Sequence, residues 1–153
     1  MDSDIAKPEL APIAEGDLSQ LAELYQQLLP NESSLSKMQK ALSNNLGNPK
    51  HLVLAAKIDG RLVGSLLAVT CEMFFGQCKS FLVVEDVVVD STYRRQGIGK
   101  ALMQYVEQHA RENNCSYIML VTDAKRVDAQ EFYKSLGYQS EKYCAFQKRL
   151  QDS

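Results

Sequence analysis

Residues 81 to 100 do most to limit the folds open to this chain. The run Phe81-Leu82-Val83-Val84-Glu85-Asp86-Val87-Val88-Val89 is apolar on both alternating faces apart from its two carboxylates. It leads through Arg94-Arg95-Gln96-Gly97-Ile98-Gly99-Lys100 into a helical repeat. A run of that kind predicts a central strand covered on both sides, so further elements have to supply a layer on each face of a sheet. The helix is expected from Gly99 to Arg111, with Ala101, Leu102, Tyr105, Val106 and Ala110 facing inward.

The remaining elements can be read around this center. Glu9 to Ala14 reads as a short opening strand, and Asp17 as the N-cap of a helix carrying Leu18, Leu21, Leu24, Tyr25 and Leu28, ended by Pro30 and Asn31. Ser36 to Leu46 predicts a second helix with Met38, Leu42 and Leu46 on one face, stopped by Gly47-Asn48-Pro49. The period then changes to that of strands. His51 to Ile58 and Leu62 to Thr70 form a hairpin pattern around Asp59-Gly60. Tyr117 to Val121 reads as another buried strand, Asp128 to Leu136 as a helix closed by Gly137, and Tyr143 to Leu150 as a last strand. The expected class is α/β (α+β), a mixed, mostly antiparallel sheet of about six to seven strands flanked by about four helices. With no repeat or linker in its 153 residues, one domain spanning 1-153 is expected.

Composition narrows the function classes. No segment approaches the ~20 apolar residues that cross a bilayer, and a formal charge of -2 gives no long-range pull toward nucleic acid or acidic membrane. No membrane or nucleic-acid partner is therefore expected. The stretch Met1 to Pro8 lacks the basic and apolar regions of a signal peptide, which places the protein in the cytoplasm. Cys71, Cys78, Cys115 and Cys144 are widely spaced and read as free thiols, and no metal site is expected from them with His51 and His109.

The loop between the strand and the long helix carries the sharpest chemical signal. Gly97 and Gly99 let the backbone approach a ligand, and the free amides of a first helical turn favor an anion. Arg94, Arg95 and Lys100 add positive charge beside them. This is phosphate-binding physics. A dinucleotide fingerprint fails because Leu102 occupies the third glycine position, and a P-loop fails because Ala101 follows Lys100.

Arg94-x-x-Gly97-x-Gly99 resembles the Q/R-x-x-G-x-G/A signature of the GNAT N-acetyltransferases, and Phe132-Tyr133-x-x-x-Gly137-Tyr138 resembles a second motif of that family. Glu85-Asp86-Val87-Val88-Val89-Asp90-Ser91 is similar to the strand of glucosamine-phosphate N-acetyltransferases. Lys125-Arg126-x-Asp128-Ala129-x-x-Phe132-Tyr133 is similar to aminoalkylphosphonate and other small-amine acetyltransferases. The resemblance implies acetyl-CoA as cosubstrate. It implies that Val87, Val88 and Val89 pair with the pantetheine arm, with a splay or bulge near Asp86 freeing an N–H, that of Val88, for the thioester carbonyl. Gln96, Gly97, Gly99 and Lys100 are implied as pyrophosphate ligands with Arg94 and Arg95 beside them, and Tyr133 as the acid for the leaving thiolate. Arg126 stands where family members often carry Asn, so its role stays open between cofactor and substrate.

Chemistry adds its own demand. An alkylamine of pKa near ~10 is almost wholly charged at neutral pH, so a base has to take a proton before attack. Glu85 and Asp86 are both candidates, and alternation along a regular strand sends them to opposite faces, so at most one lines the acceptor site. Neither motif contains a cysteine, which favors direct transfer over an acetyl-cysteine intermediate. The expected function is acetyl transfer to the primary amine of a small molecule, an amino sugar phosphate, an aminoalkylphosphonate or similar. The alternatives are a protein N-terminal or lysine acetyltransferase and a non-catalytic acetyl-CoA sensor. Acceptor choice is expected to reside in residues 26 to 47 and 72 to 79. Met73-Phe74-Phe75 is an apolar patch that could support a homodimer.

Overall fold

The computed structural model describes residues 6–151, so the first five residues of the signal-peptide reading lie outside the described residues. The chain divides into two compact units, one up to Leu120 and one from Val121 onward.

In the first unit, strands β1 (Glu9–Pro12), β2 (His51–Ile58), β3 (Arg61–Cys71), β4 (Ser80–Val89) and β5 (Cys115–Leu120) form one sheet in the order β1-β2-β3-β4-β5. All neighbors are antiparallel except β4 and β5, which run parallel. That parallel step requires a crossover, and helix α3 (Ile98–Glu112) supplies it. The β2–β3 turn is fixed locally: Asp59 and Gly60 both have left-handed φ, 50° and 77°, as a two-residue type I′ hairpin needs.

Two helical layers cover the sheet. Helix α1 (Leu18–Tyr25) buries Leu18, Leu21 and Leu24 against Ala55, Leu62 and Val88, with Met38 and Leu42 of α2 (Leu35–Asn44) packed at the margin. Helix α3 buries Ile98, Leu102, Met103, Val106 and Ala110. Gly64 shows that α3 takes the other face: a Cβ there would meet Ile98 Cγ2 at 3.0 Å and Leu102 Cδ1 at 3.2 Å. The next residue, Ser65, pairs with Val88 of the α1 cluster, and adjacent strand residues face opposite ways.

Several sequence expectations shift. Asp17 precedes α1 but does not cap it with its side chain. Its carboxylate instead accepts from the Ala14 N–H (2.9 Å) and pairs with Lys57 Nζ (2.6 Å). Burial alone would raise this carboxyl, but the Lys57 and Ala14 bonds outweigh it and hold the group below its ordinary value. Helix α1 ends at Tyr25, after which tight turns carry the chain through Leu28, and α2 ends at Asn44, leaving Leu46 80% exposed. Strand β5 is an edge strand rather than a buried one. Among the described residues β4 is its one strand neighbor, and Tyr117 and Met119 are exposed while Ile118 and Leu120 are half-buried.

The second unit is built on helix α4 (Val127–Ser135). Its end is a Schellman turn, with Tyr138 N–H donating to Tyr133 O (3.1 Å), Gly137 N–H to Lys134 O (3.0 Å), and Gly137 at φ 94°. The expected strand Tyr143 to Leu150 does not form, which leaves five strands among the described residues instead of six to seven. Alternating apolar residues set a β preference but not a ladder partner, and Tyr143, Phe146 and Leu150 stand exposed here.

Candidate active site

The center of the site is a fault in the β3–β4 ladder. Ser65 pairs with Val88 and Leu67 with Glu85, so Asp86 and Val87 together oppose the single residue Leu66. This is a β-bulge, and Asp86 makes it by adopting left-handed φ 54°, a conformation that Asp tolerates better than most side chains. The bulge breaks the strict alternation assumed for a regular strand. Glu85 shares a face with its opposite residue Leu67, and Asp86 turns into a cavity on the α1 side instead of pointing away from it.

That cavity holds about 230 Å³ and is lined by Tyr25, Leu28, Leu29, Asn31, Glu32, Ser33 and Asp86. Most of these residues come from the end of α1 and the connection to α2, which lies within the expected acceptor region 26 to 47. Residues 72 to 79 line none of it. Enough protein surrounds Asp86 to raise its carboxyl by burial. Glu85 is raised as well, first by burial and then by the negative charge of Asp86. Tyr25 is pushed up to about 12 by burial and by the same Asp86 charge, so its hydroxyl stays protonated and available as a donor.

Beyond the bulge, β4 runs through Val87, Val88 and Val89 into the loop. Asp90 anchors the exit: its N–H donates to Val63 O (2.8 Å), and its carboxylate accepts from Thr92 N–H (3.0 Å) and faces Arg61 at 3.7 Å. Arg94 Nε donates back to Val89 O (3.4 Å). Arg95 and Gly97 are left-handed at φ 61° and 80°, and Gln96 lies exposed between them. Gly97 is the N-cap of α3 and carries no side-chain cap. The first helical bond runs from Ala101 N–H to Gly97 O (2.9 Å), so the amides of Ile98, Gly99 and Lys100 have no partner within the helix. Nothing lies within 4 Å of where a Gly97 Cβ would sit, so the approach to these amides is open. A 15-residue helix with an uncapped amide end and three flanking cations fits a phosphate group.

Tyr133 belongs to the second unit, where its ring contacts Phe132 (5.2 Å between centroids) and Tyr138 (6.0 Å). Burial raises its hydroxyl, partly offset by the Arg126 charge. The bulge, Asp86 and the glycine loop thus lie along one strand and its exit. Sequence reading missed Tyr25 and Glu32 as site residues, and Gly64 as the contact that seats α3. A lone Tyr at helical spacing and a Glu in a loop carry no distinguishing signal, and Gly64 shows its purpose only once its register beside Val88 and α3 is known.

The comparisons with known proteins bear on the same elements. Residues 18–138 match the family model described as Acetyltransferase (GNAT) family. Glucosamine 6-phosphate N-acetyltransferase of Trypanosoma brucei brucei is 30% identical over 140 residues, covering 90% of this chain and 93% of that protein. Aminoalkylphosphonate N-acetyltransferase of Salmonella typhimurium is 28% identical over 131 residues, covering 85% and 84%. The solved structure of a Trypanosoma brucei acetyltransferase is 26% identical and superposes with a TM-score of 0.79 over 94% of this chain and 99% of that one. Among the described residues no helix is long and apolar enough to cross a membrane, and no cluster of side chains suits a metal ion. The chain belongs to the acetyltransferase (GNAT) family, whose cosubstrate is acetyl-CoA, and it is an N-acetyltransferase.

Proposed function

We propose that the chain acts as a single domain in the cytoplasm, transferring the acetyl group of acetyl-CoA directly to the primary amine of a small molecule. The observation that carries this reading is the bulge at Asp86, which turns a carboxylate of raised pKa into a cavity on the same strand that ends at the open amides of α3. Those amides, with the loop amides of Gln96 and Gly97 before them, hold the pyrophosphate, with Arg94 and Arg95 beside it. Val87 to Val89 pair with the pantetheine arm, and the Val88 N–H polarizes the thioester carbonyl.

Asp86 accepts the proton of the incoming ammonium, with Glu85 as the alternative base. A carboxyl raised by burial is a better proton acceptor than an ordinary one. The free amine attacks the acetyl carbon, and Tyr133 protonates the departing thiolate. The relatives named for glucosamine 6-phosphate and aminoalkylphosphonates make those amines the first acceptors to try. The four cysteines are free, which fits a reducing compartment. Phe74 and Phe75 are 96% and 85% exposed and are the surface we assign to a homodimer contact.

The test is thiol release from acetyl-CoA with a panel of amines, run beside calorimetric binding of acetyl-CoA alone. Turnover on a small amine supports the proposal. Tight binding without turnover on any amine indicates a sensor, and absence of binding refutes the phosphate-loop assignment.

A further inference from the structure

The cavity that Asp86 enters has no cationic side chain in its lining to hold an anion. Its lining has two carboxylates, Asp86 and Glu32, the neutral polar side chains of Tyr25, Asn31 and Ser33, the apolar side chains of Leu28 and Leu29, and no Lys, Arg or His. A phosphate or phosphonate held there would lie beside two carboxylates with no cation to offset them, a like-charge arrangement that costs binding free energy. An aliphatic chain with a second ammonium group meets the opposite conditions: Leu28 and Leu29 cover its methylenes and Glu32 faces the distal charge. The cations of the first unit's loop, Arg94, Arg95 and Lys100, lie at the exit of β4 and around the start of α3, outside this lining.

We propose that the acceptor is an aliphatic diamine or polyamine without phosphate or phosphonate, its reacting amine at Asp86 and its second cation at Glu32. This rests on the acetyl-transfer reading and departs from the acceptors for which the relatives are named.

The experiment compares kcat/KM with acetyl-CoA for butane-1,4-diamine, n-butylamine, aminomethylphosphonate and glucosamine 6-phosphate, in the wild-type chain and in Glu32→Gln and Glu32→Lys, at low ionic strength. Glu32 is exposed, and an exposed ion pair supports roughly 2- to 5-fold discrimination. The diamine should therefore exceed the monoamine by about that ratio, Glu32→Gln should bring the ratio near one, and Glu32→Lys should invert it while improving use of the phosphonate. A phosphorylated acceptor that outruns the diamine, or a diamine-to-monoamine ratio unmoved by both substitutions, overturns the inference and leaves acetyl transfer intact. No turnover on any amine overturns acetyl transfer itself, and this inference with it.

Discussion

Replacing Gly64 by Ala tests how α3 and the bulge are held together. The added Cβ would lie 3.0 Å from Ile98 Cγ2, 3.2 Å from Leu102 Cδ1 and 3.3 Å from the Val88 carbonyl oxygen. None of the three gives way easily. Ile98 and Leu102 are 1% and 0% exposed, so neither has free space to rotate into, and Val88 O belongs to the backbone just after the bulge. Overpacking a tight site costs about 1–3 kcal/mol, while Gly→Ala returns about 0.4–1 kcal/mol by restricting the unfolded chain. The net expectation is a loss of about 1–2 kcal/mol, read as a drop in melting temperature of roughly 2–8 °C for a chain of this size. Because the contact presses on the first turn of α3, the KM for acetyl-CoA should rise as well. Introducing Gly64→Ala into an Ile98→Ala background should cost less than in the wild type, a coupling that a double-mutant cycle measures directly. An unchanged or raised melting temperature in the single variant would refute the argument that Gly64 is required for close approach.

Four further outcomes are expected. Asp86→Asn should lower kcat/KM about 10²- to 10³-fold near neutral pH, since only ~10⁻³ of an alkylamine of pKa ~10.4 is then unprotonated, and a pH–rate profile should show the deficit shrinking toward pH ~10. The same variant should gain stability. Burial raises the Asp86 carboxyl in the fold, so its stabilizing share is complete below the ordinary carboxylate range and is lost as pH rises through the folded value; denaturant melts should show Asn ahead at pH ~7.5 and level at pH ~3. Asp17→Ala removes the bonds to Lys57 and Ala14 and should cost about 1.5–3 kcal/mol in thermal unfolding. In the wild type that contribution should fade as pH falls through the lowered Asp17 value. Gly97→Ala forces a side chain into φ 80° and should cost about 1–2 kcal/mol together with weaker acetyl-CoA binding by calorimetry.

The parts of the fold readable in the sequence are those written in local chemistry. Asp59-Gly60 specifies its hairpin through two left-handed residues, and the spacing of Leu18, Leu21 and Leu24 specifies a helix face that is buried as expected. Gly97 and Gly99 mark the loop at the head of α3, one residue from the observed helix start. What stayed hidden depends on partners far away in the chain. The apolar run beginning at Tyr117 cannot reveal that its strand lies at an edge, and Tyr143 to Leu150 carries β preference without specifying a ladder. Leu46 lost its expected place because α2 ends two residues earlier, at Asn44, so Leu46 lies beyond the helical stripe and is exposed.

The misreading at Glu85 and Asp86 is the informative one. Alternation put the two carboxylates on opposite faces, and that conclusion holds for any regular strand; it failed because one extra residue sits opposite Leu66. Alternation alone does not show the bulge, whereas the family resemblance implied one near Asp86, where the register shift lies; the identity of the bulged residue fits as well, since Asp enters the left-handed region more readily than the Val residues around it. Burial raises the Asp86 carboxyl, and the Asp86 charge adds to the burial that raises Tyr25 and Glu85, so backbone strain, electrostatics and access to the cavity meet at one residue. A fold seeking only stability would place an uncharged Asn there, which keeps the left-handed conformation without a partly buried charge. Retaining a left-handed, partly desolvated carboxylate on β4 lowers stability above the carboxylate range, and under the proposed mechanism the compensating gain is a proton acceptor facing the cavity.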